Sequence, residues 1–199
     1  MNPIRLRLTR LATRRFLLAA VLTLAVIGGA GAATEAAAAA ASAPYCGITW
    51  GSLPRGAGDN TIAPLLDVRT GQHDCYDRVV FDFDGTATGY SVRYTDDVVT
   101  QGKGDVLNIA GGARLDVTLL EPAYNVQTGT PTFPHGDGDH LANVAGYRTL
   151  RDVVYGGSFE GYTTVGVGVR ARLPFRVFTL AGPGGHSRIV IDVAHRWSA

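Results

Sequence analysis

The chain has 199 residues, with 18 Lys and Arg against 17 Asp and Glu and a formal net charge of +1. Five of the basic residues (Arg5, Arg7, Arg10, Arg14 and Arg15) precede position 32 and every acidic one follows it, so a chain processed there keeps 13 of its 18 basic residues against 17 acidic ones, a net charge of −4. That balance excludes the electrostatic footprint of a nucleic-acid binder and the basic run that holds a protein to anionic lipid.

The first segment has the pattern of a secretory signal. The arginines are followed by the apolar run "FLLAAVLTLAVIG" from Phe16 and then by the small residues "AGA", so residues 1–32 are expected to be a signal peptide cleaved after Ala32. The apolar run falls short of the roughly 20 residues that span a bilayer. "TRRFLL" hints at twin-arginine export but lacks the usual spacer, and "SAPYC" carries no small-residue lipobox before Cys46. The alanine-rich stretch 33–44 has no apolar stripe to bury and is expected to be a tether. Residues 45–199 are enough for one domain with a sizeable core.

The two cysteines, Cys46 and Cys75, are expected to be bonded to each other in an oxidising compartment. Such a bridge closes a loop of roughly 30 residues, worth about 3 kcal/mol in the chain-entropy model. From there a period of two runs through the chain. In "RVVFDFD", Val79, Phe81 and Phe83 alternate with Val80, Asp82 and Asp84. In "GYSVRYT", Tyr90, Val92 and Tyr94 share a face opposite Ser91 and Arg93. "ARLDVTLL" lines up Leu115, Val117 and Leu119 until Pro122 ends the run. A long aperiodic stretch, residues 123–146, follows. It is rich in Gly, Pro and Asp, and is expected to be a mobile or functional loop. "YRTLRDVVY" could form a turn or two of helix, although Val153 and Val154 favour strand. "YTTVGVGVRAR" then sets Thr163, Val165, Val167 and Val169 against Thr164, Gly166, Gly168 and Arg170, and "FRVFTL" and "RIVIDV" finish the series. "DGTATG", "QGKGD", the pairs Gly111–Gly112 and Gly156–Gly157, and "GPGG" supply turns between the apolar runs. Alternation with regular glycine-rich turns predicts an all-β fold, an antiparallel β-sandwich of two sheets with one long irregular loop.

One phrase is spoken twice. "RVVFDF" at 78–83 and "RIVIDV" at 188–193 begin 110 positions apart. They are expected to be equivalent strands, with Val79, Phe81, Phe83, Ile189, Ile191 and Val193 buried and with Asp82 and Asp192 on outward or sheet-edge faces, hydrogen-bonded to neighbouring strands or to Arg, because a register with Asp inward would desolvate a carboxylate.

The stretch "PFRVFTLAGPGGHSRIVIDVAH" resembles the closing hairpin of AMIN domains. Together with "CGITWGS", "GQHDCYDRVVFDFDG", "YSVRYTDDVVTQGKGD", "ARLDVTLLEPA", "GSFEG" and "VGVGVRARLPFRVFTL", in that order, it makes the chain resemble the AMIN-like domain of secreted actinobacterial proteins. The resemblance implies a two-sheet sandwich and a non-catalytic role at the cell envelope. In the wider AMIN family that role is binding peptidoglycan and localising partner proteins. AMIN modules often accompany an amidase or secretin domain, and no such companion is found in this sequence.

Candidate chemistry is sparse. "GGSFEG" around Ser158 approaches G-x-S-x-G, but Glu160 replaces the final glycine and both flanks are strand-like, so the elbow geometry is missing. Asp82 and Asp84 lie on one side of a strand, about 7 Å apart, a separation inverting glycosidases also use. "HGDGDH" could gather His135, Asp137, Asp139 and His140 on a cation, but no regular element fixes the spacing. A sugar surface needs flat rings with polar neighbours. With Tyr90 and Tyr94 turned inward beside Val92, the candidates are Trp50, Tyr76, Arg93 and Arg176. The expected function is therefore binding of peptidoglycan or another wall glycan by a secreted, envelope-associated protein, without catalysis, cofactor, resident metal or nucleic acid, and with no stable membrane span after processing. Two other readings are a protein-interaction module that holds an envelope enzyme or assembly in place and, resting only on Asp82, Asp84 and the loop histidines, a wall-polymer hydrolase.

Overall fold

A computed structural model describes residues 47–197. The chain divides into two units, Met1–Ala41 and Ser42–Ala199. The expected signal segment, the alanine-rich tether and Cys46 lie outside the described residues. No helix among the described residues is long and apolar enough to cross a membrane.

Among the described residues there are nine strands: β1 (Arg55–Ala57), β2 (Leu65–Gln72), β3 (Tyr76–Phe83), β4 (Tyr90–Thr95), β5 (Ala113–Leu119), β6 (Leu150–Phe159), β7 (Tyr162–Val169), β8 (Phe175–Ala181) and β9 (Ser187–Ala194). They make two antiparallel sheets, ordered β1-β4-β5-β7-β6 and β2-β3-β9-β8. The core lies between them, as the alternation predicts. Val79, Phe81, Phe83, Ile189, Ile191 and Val193 from one sheet meet Val92, Leu115, Val117, Leu119, Val165, Val167 and Val169 from the other, all of them buried. Tyr90 and Tyr94 pack inward against the same core. Where sequence left helix or strand open at 147–155, the result is strand β6, because Val153 and Tyr155 reach the core on alternate residues.

Two expectations need correction. Gly156–Gly157 is not a turn between strands. Both residues lie within β6, and the register slips between Tyr155 and Ser158 at a bulge where Gly157 has φ +93°. The turn comes later, between Phe159 and Tyr162, where Glu160 and Gly161 both take positive φ as a two-residue hairpin requires. Nor is the stretch 123–146 a free excursion. Phe133 and Val144 are buried in the core, and the backbone pairs along the edge of β6: Gly138 N–H to Tyr155 O at 2.8 Å, Tyr155 N–H to Asp139 O at 2.9 Å and Leu141 N–H to Val153 O at 2.8 Å. The segment thus covers a strand edge that would otherwise be bare.

A second cover lies on the outer face of the five-stranded sheet. Val98, Leu107 and Ile109, from the β4–β5 connection, pack on Val154. The glycines of "VGVGV" make this possible. A Cβ at Gly166 would stand 2.2 Å from Ile109 Cδ1, and one at Gly168 would stand 1.9 Å from Ala110 O.

Buried acids tie the ends of the sandwich. Asp77, fully buried on β3, accepts the Thr149 and Leu150 amides at 2.6 and 3.0 Å and the His195 ring at 3.0 Å. Glu121, also fully buried, accepts the Thr88 and Gly89 amides at 3.1 and 3.0 Å. Desolvation outweighs these bonds and pushes the Glu121 carboxyl up to about 7.

Candidate functional site

The repeated phrase explains the outer face of the four-stranded sheet. Strands β3 and β9 are neighbours and antiparallel, with Arg78 opposite Asp192, Val80 opposite Val190 and Asp82 opposite Arg188. Because the two phrases run in opposite directions, each arginine meets the other copy's aspartate, and a local two-fold axis passes between Val80 and Val190. The outer strands extend the pattern. Arg69 of β2 reaches Asp82 and Arg176 of β8 reaches Asp192.

Two Arg–Asp–Arg ladders result. Asp82 accepts Arg69 Nε at 2.7 Å, Arg69 Nη2 at 3.1 Å and Arg188 Nε at 2.8 Å. Burial alone would raise the Asp82 carboxyl, but the hydrogen bonds from Arg69 and Arg188 win and hold it below the ordinary carboxylate range. Asp192 accepts Arg78 Nε and Nη2 at 2.6 and 3.0 Å and Arg176 Nε at 2.8 Å. The sequence placed Asp192 on an outward or edge face with a neighbouring strand or an Arg as partner, and Arg78 and Arg176 are those partners. Asp192 is outward with respect to the sheet, yet its side chain is 0% exposed, because two guanidiniums and the rings beside them lie over it. Burial of this kind is tolerable only with the carboxylate's lone pairs satisfied, as they are here. The guanidiniums are the layer that water meets, with 50% exposure at Arg69 and 40% at Arg176.

The aromatics gather at one end of this face. Trp50 meets Tyr76 edge-on with ring centroids 5.7 Å apart, and His73 stacks on Tyr76 at 4.5 Å. The Arg176 guanidinium lies 4.3 Å from the Trp50 ring centre and 5.1 Å from that of Phe178, and Arg78 lies 5.2 Å from that of Tyr76. Of the four candidates read from sequence, Trp50, Tyr76 and Arg176 therefore come together. Arg93 does not. It sits exposed on β4 of the opposite sheet and bonds Asp116 of β5 at 2.9 Å. Tyr76, only 3% exposed, supports the arginines from beneath and offers no open ring face. Sequence reasoning missed Arg69, Arg78 and Arg188 as members of the site. The signal was present in the repeated Arg and Asp, but their meeting depends on a pairing across more than a hundred positions.

The other sequence candidates have separate partners. Asp84 is exposed at the end of β3, and Asp82 belongs to its ladder. Ser158 Oγ donates to Tyr162 O and accepts the Ala123 amide, inside the hairpin turn. In "HGDGDH", Asp137 bonds Lys103 at 2.7 Å, His140 bonds Asp152 at 2.7 Å, and Asp139 accepts the Gly136 amide. Among the described residues no three His, Cys, Asp or Glu side chains gather to hold a metal ion. No cysteine among the described residues is a free thiol. Cys75, after the β2 strand, packs with Trp50 beside Ile48 and Tyr76.

The outer face of the four-stranded sheet thus displays guanidiniums and rings above one buried carboxylate, Asp192, and one partly exposed, Asp82. The chain belongs to the AMIN-like domain family, whose match covers residues 63–195. Such domains are non-catalytic binding modules of cell-envelope proteins. No curated protein matches the chain.

Proposed function

We propose that this protein is a secreted envelope-binding module that recognises peptidoglycan or another wall glycan through the outer face of the β2-β3-β9-β8 sheet. The observation that carries the reading is the convergence of Trp50, Arg176 and both arginine ladders on that face. Guanidiniums offer fixed donors to sugar and peptide oxygens, and a ring held by a stacked arginine loses little entropy on binding. Family membership supports the same reading. The Cys46–Cys75 bridge, which would anchor the segment bearing Trp50 beside β3, belongs to this proposal.

The test is co-sedimentation with purified sacculi, before and after wall proteins are stripped away. The protein should pellet with both preparations. Trp50→Ala/Arg176→Ala should weaken retention about tenfold, the equivalent of about 1.4 kcal/mol. Retention only on unstripped sacculi would transfer the function to a protein partner, and release of soluble muropeptides would restore the hydrolase reading.

A further inference from the structure

Between the two ladders, on the local two-fold axis, lies a pocket of about 230 Å³. Its floor is Val80 and Val190, which face outward and are nonetheless almost wholly buried. Leu180 flanks it, and Arg69, Arg78, Arg188, Thr70 and His73 are among the residues of its rim. An apolar floor inside a rim of cations is not the lining of a simple polyanion site.

The charges on this face nearly balance. The outward positions of the four strands carry the arginines 69, 78, 176 and 188 and the aspartates 67, 82 and 192. Four against three leaves one positive charge. Arg188 is given to Asp82 through Nε, so the outer edge of its guanidinium, with two N–H groups side by side, remains for a ligand. Such an edge matches two oxygens of a planar carboxylate. The excess charge suits a monoanion, and the valines suit a small alkyl group beside it.

We propose that this pocket binds the free carboxylate end of a short peptide with small apolar side chains. Its carboxylate lies along Arg188 and Arg69, and its terminal side chain rests on Val80 and Val190. The inference rests on the wall-binding reading and narrows it: the group recognised is the peptide of the wall polymer and not the sugar chain.

The probes are N-acetyl-alanyl-alanine and its C-terminal amide, titrated into the folded protein and followed by amide chemical shifts and calorimetry. The acid should bind at least about tenfold more tightly than the amide, weaken with added salt, and shift the resonances of Val80, Arg188 and Val190. Arg188→Gln should abolish that preference, while Arg114→Gln, on the opposite sheet, should leave it intact. The shifts on the parent protein decide the matter even if Arg188→Gln fails to fold. Equal binding of acid and amide, shifts confined to another face, or equally tight binding of inorganic phosphate at the same resonances would overturn the proposal. Sacculi retained alongside equal binding of acid and amide would leave wall binding standing and sink the peptide assignment. A clear preference for the acid without retention on sacculi would do the reverse.

Discussion

Single residues carry most of the electrostatic design. Glu121 has a carboxyl raised to about 7 by burial, so the folded chain holds a proton that the unfolded chain releases near 4.5. The stability this provides is complete below the unfolded value and is lost as pH rises through about 7. The melting temperature should therefore fall between pH 4.5 and 7. Glu121→Gln, which cannot ionise, should remove that part of the slope and melt roughly 2–6 °C higher at pH 8. Identical pH profiles for parent and variant would show that the carboxyl titrates normally. The two ladder aspartates should differ in a way their sequence similarity hides. Asp192→Ala leaves two guanidiniums facing each other over a closed space and should cost about 3–5 kcal/mol in urea unfolding. Asp82→Asn, at a partly exposed site with an amide still able to accept from arginine, should cost about 1 kcal/mol.

At the scale of elements, packing overrode local pattern in the places where sequence reasoning failed. β3, β4, β5, β7, β8 and β9 were legible because each alternates apolar and polar residues against a single core. The Gly156–Gly157 pair carried a true turn signal, yet β6 absorbs it as a bulge because Leu150, Val153 and Tyr155 already fix the strand in the core. The stretch 123–146 lacks a period because it pairs only in part, and nothing local in "PTFPHG" shows that Phe133 reaches the core. Short deletions in a free loop are cheap, but removing residues 136–139 here would strip the pairing of Tyr155 on the β6 edge. Its cost should be several times that of an ordinary surface change, and Phe133→Ala should lose about 3 kcal/mol. The glycines of β7 make a matching test. Gly168→Ala, which puts a methyl into the Ala110 carbonyl, should destabilise by about 1–3 kcal/mol. A neutral result would mean that the 98–110 cover lifts away freely. The candidate site was half legible for a related reason. Trp50, Tyr76 and Arg176 could be chosen for their chemistry, but only the register of β3 on β9 shows which arginines stand next to them.

For the whole molecule, the Cys46–Cys75 bridge would join the start of the domain to the four-stranded sheet. Peptide mapping of natively secreted protein should recover one linked pair, and two free thiols in oxidised material would remove it from the account. The central pairing of β3 with β9 has a consequence in time. Arg78 and Asp192 are 114 positions apart, and β9 is the last strand among the described residues. While the chain is being synthesised, β3 has only β2 beside it, and the inner face bearing Val79, Phe81 and Phe83 lacks its neighbour. Contacts this distant in sequence close late and slowly. Until Ser187 and the residues after it have been made, the sheet lacks its middle. A product that stops short of them holds the five-stranded sheet but leaves the β2-β3 hairpin and β8 without the strand that joins them, with the apolar face of β3 half covered. Such a fragment should go to proteases or aggregates, and neither arginine ladder is complete in it, because Arg188 of the first and Asp192 of the second both belong to β9.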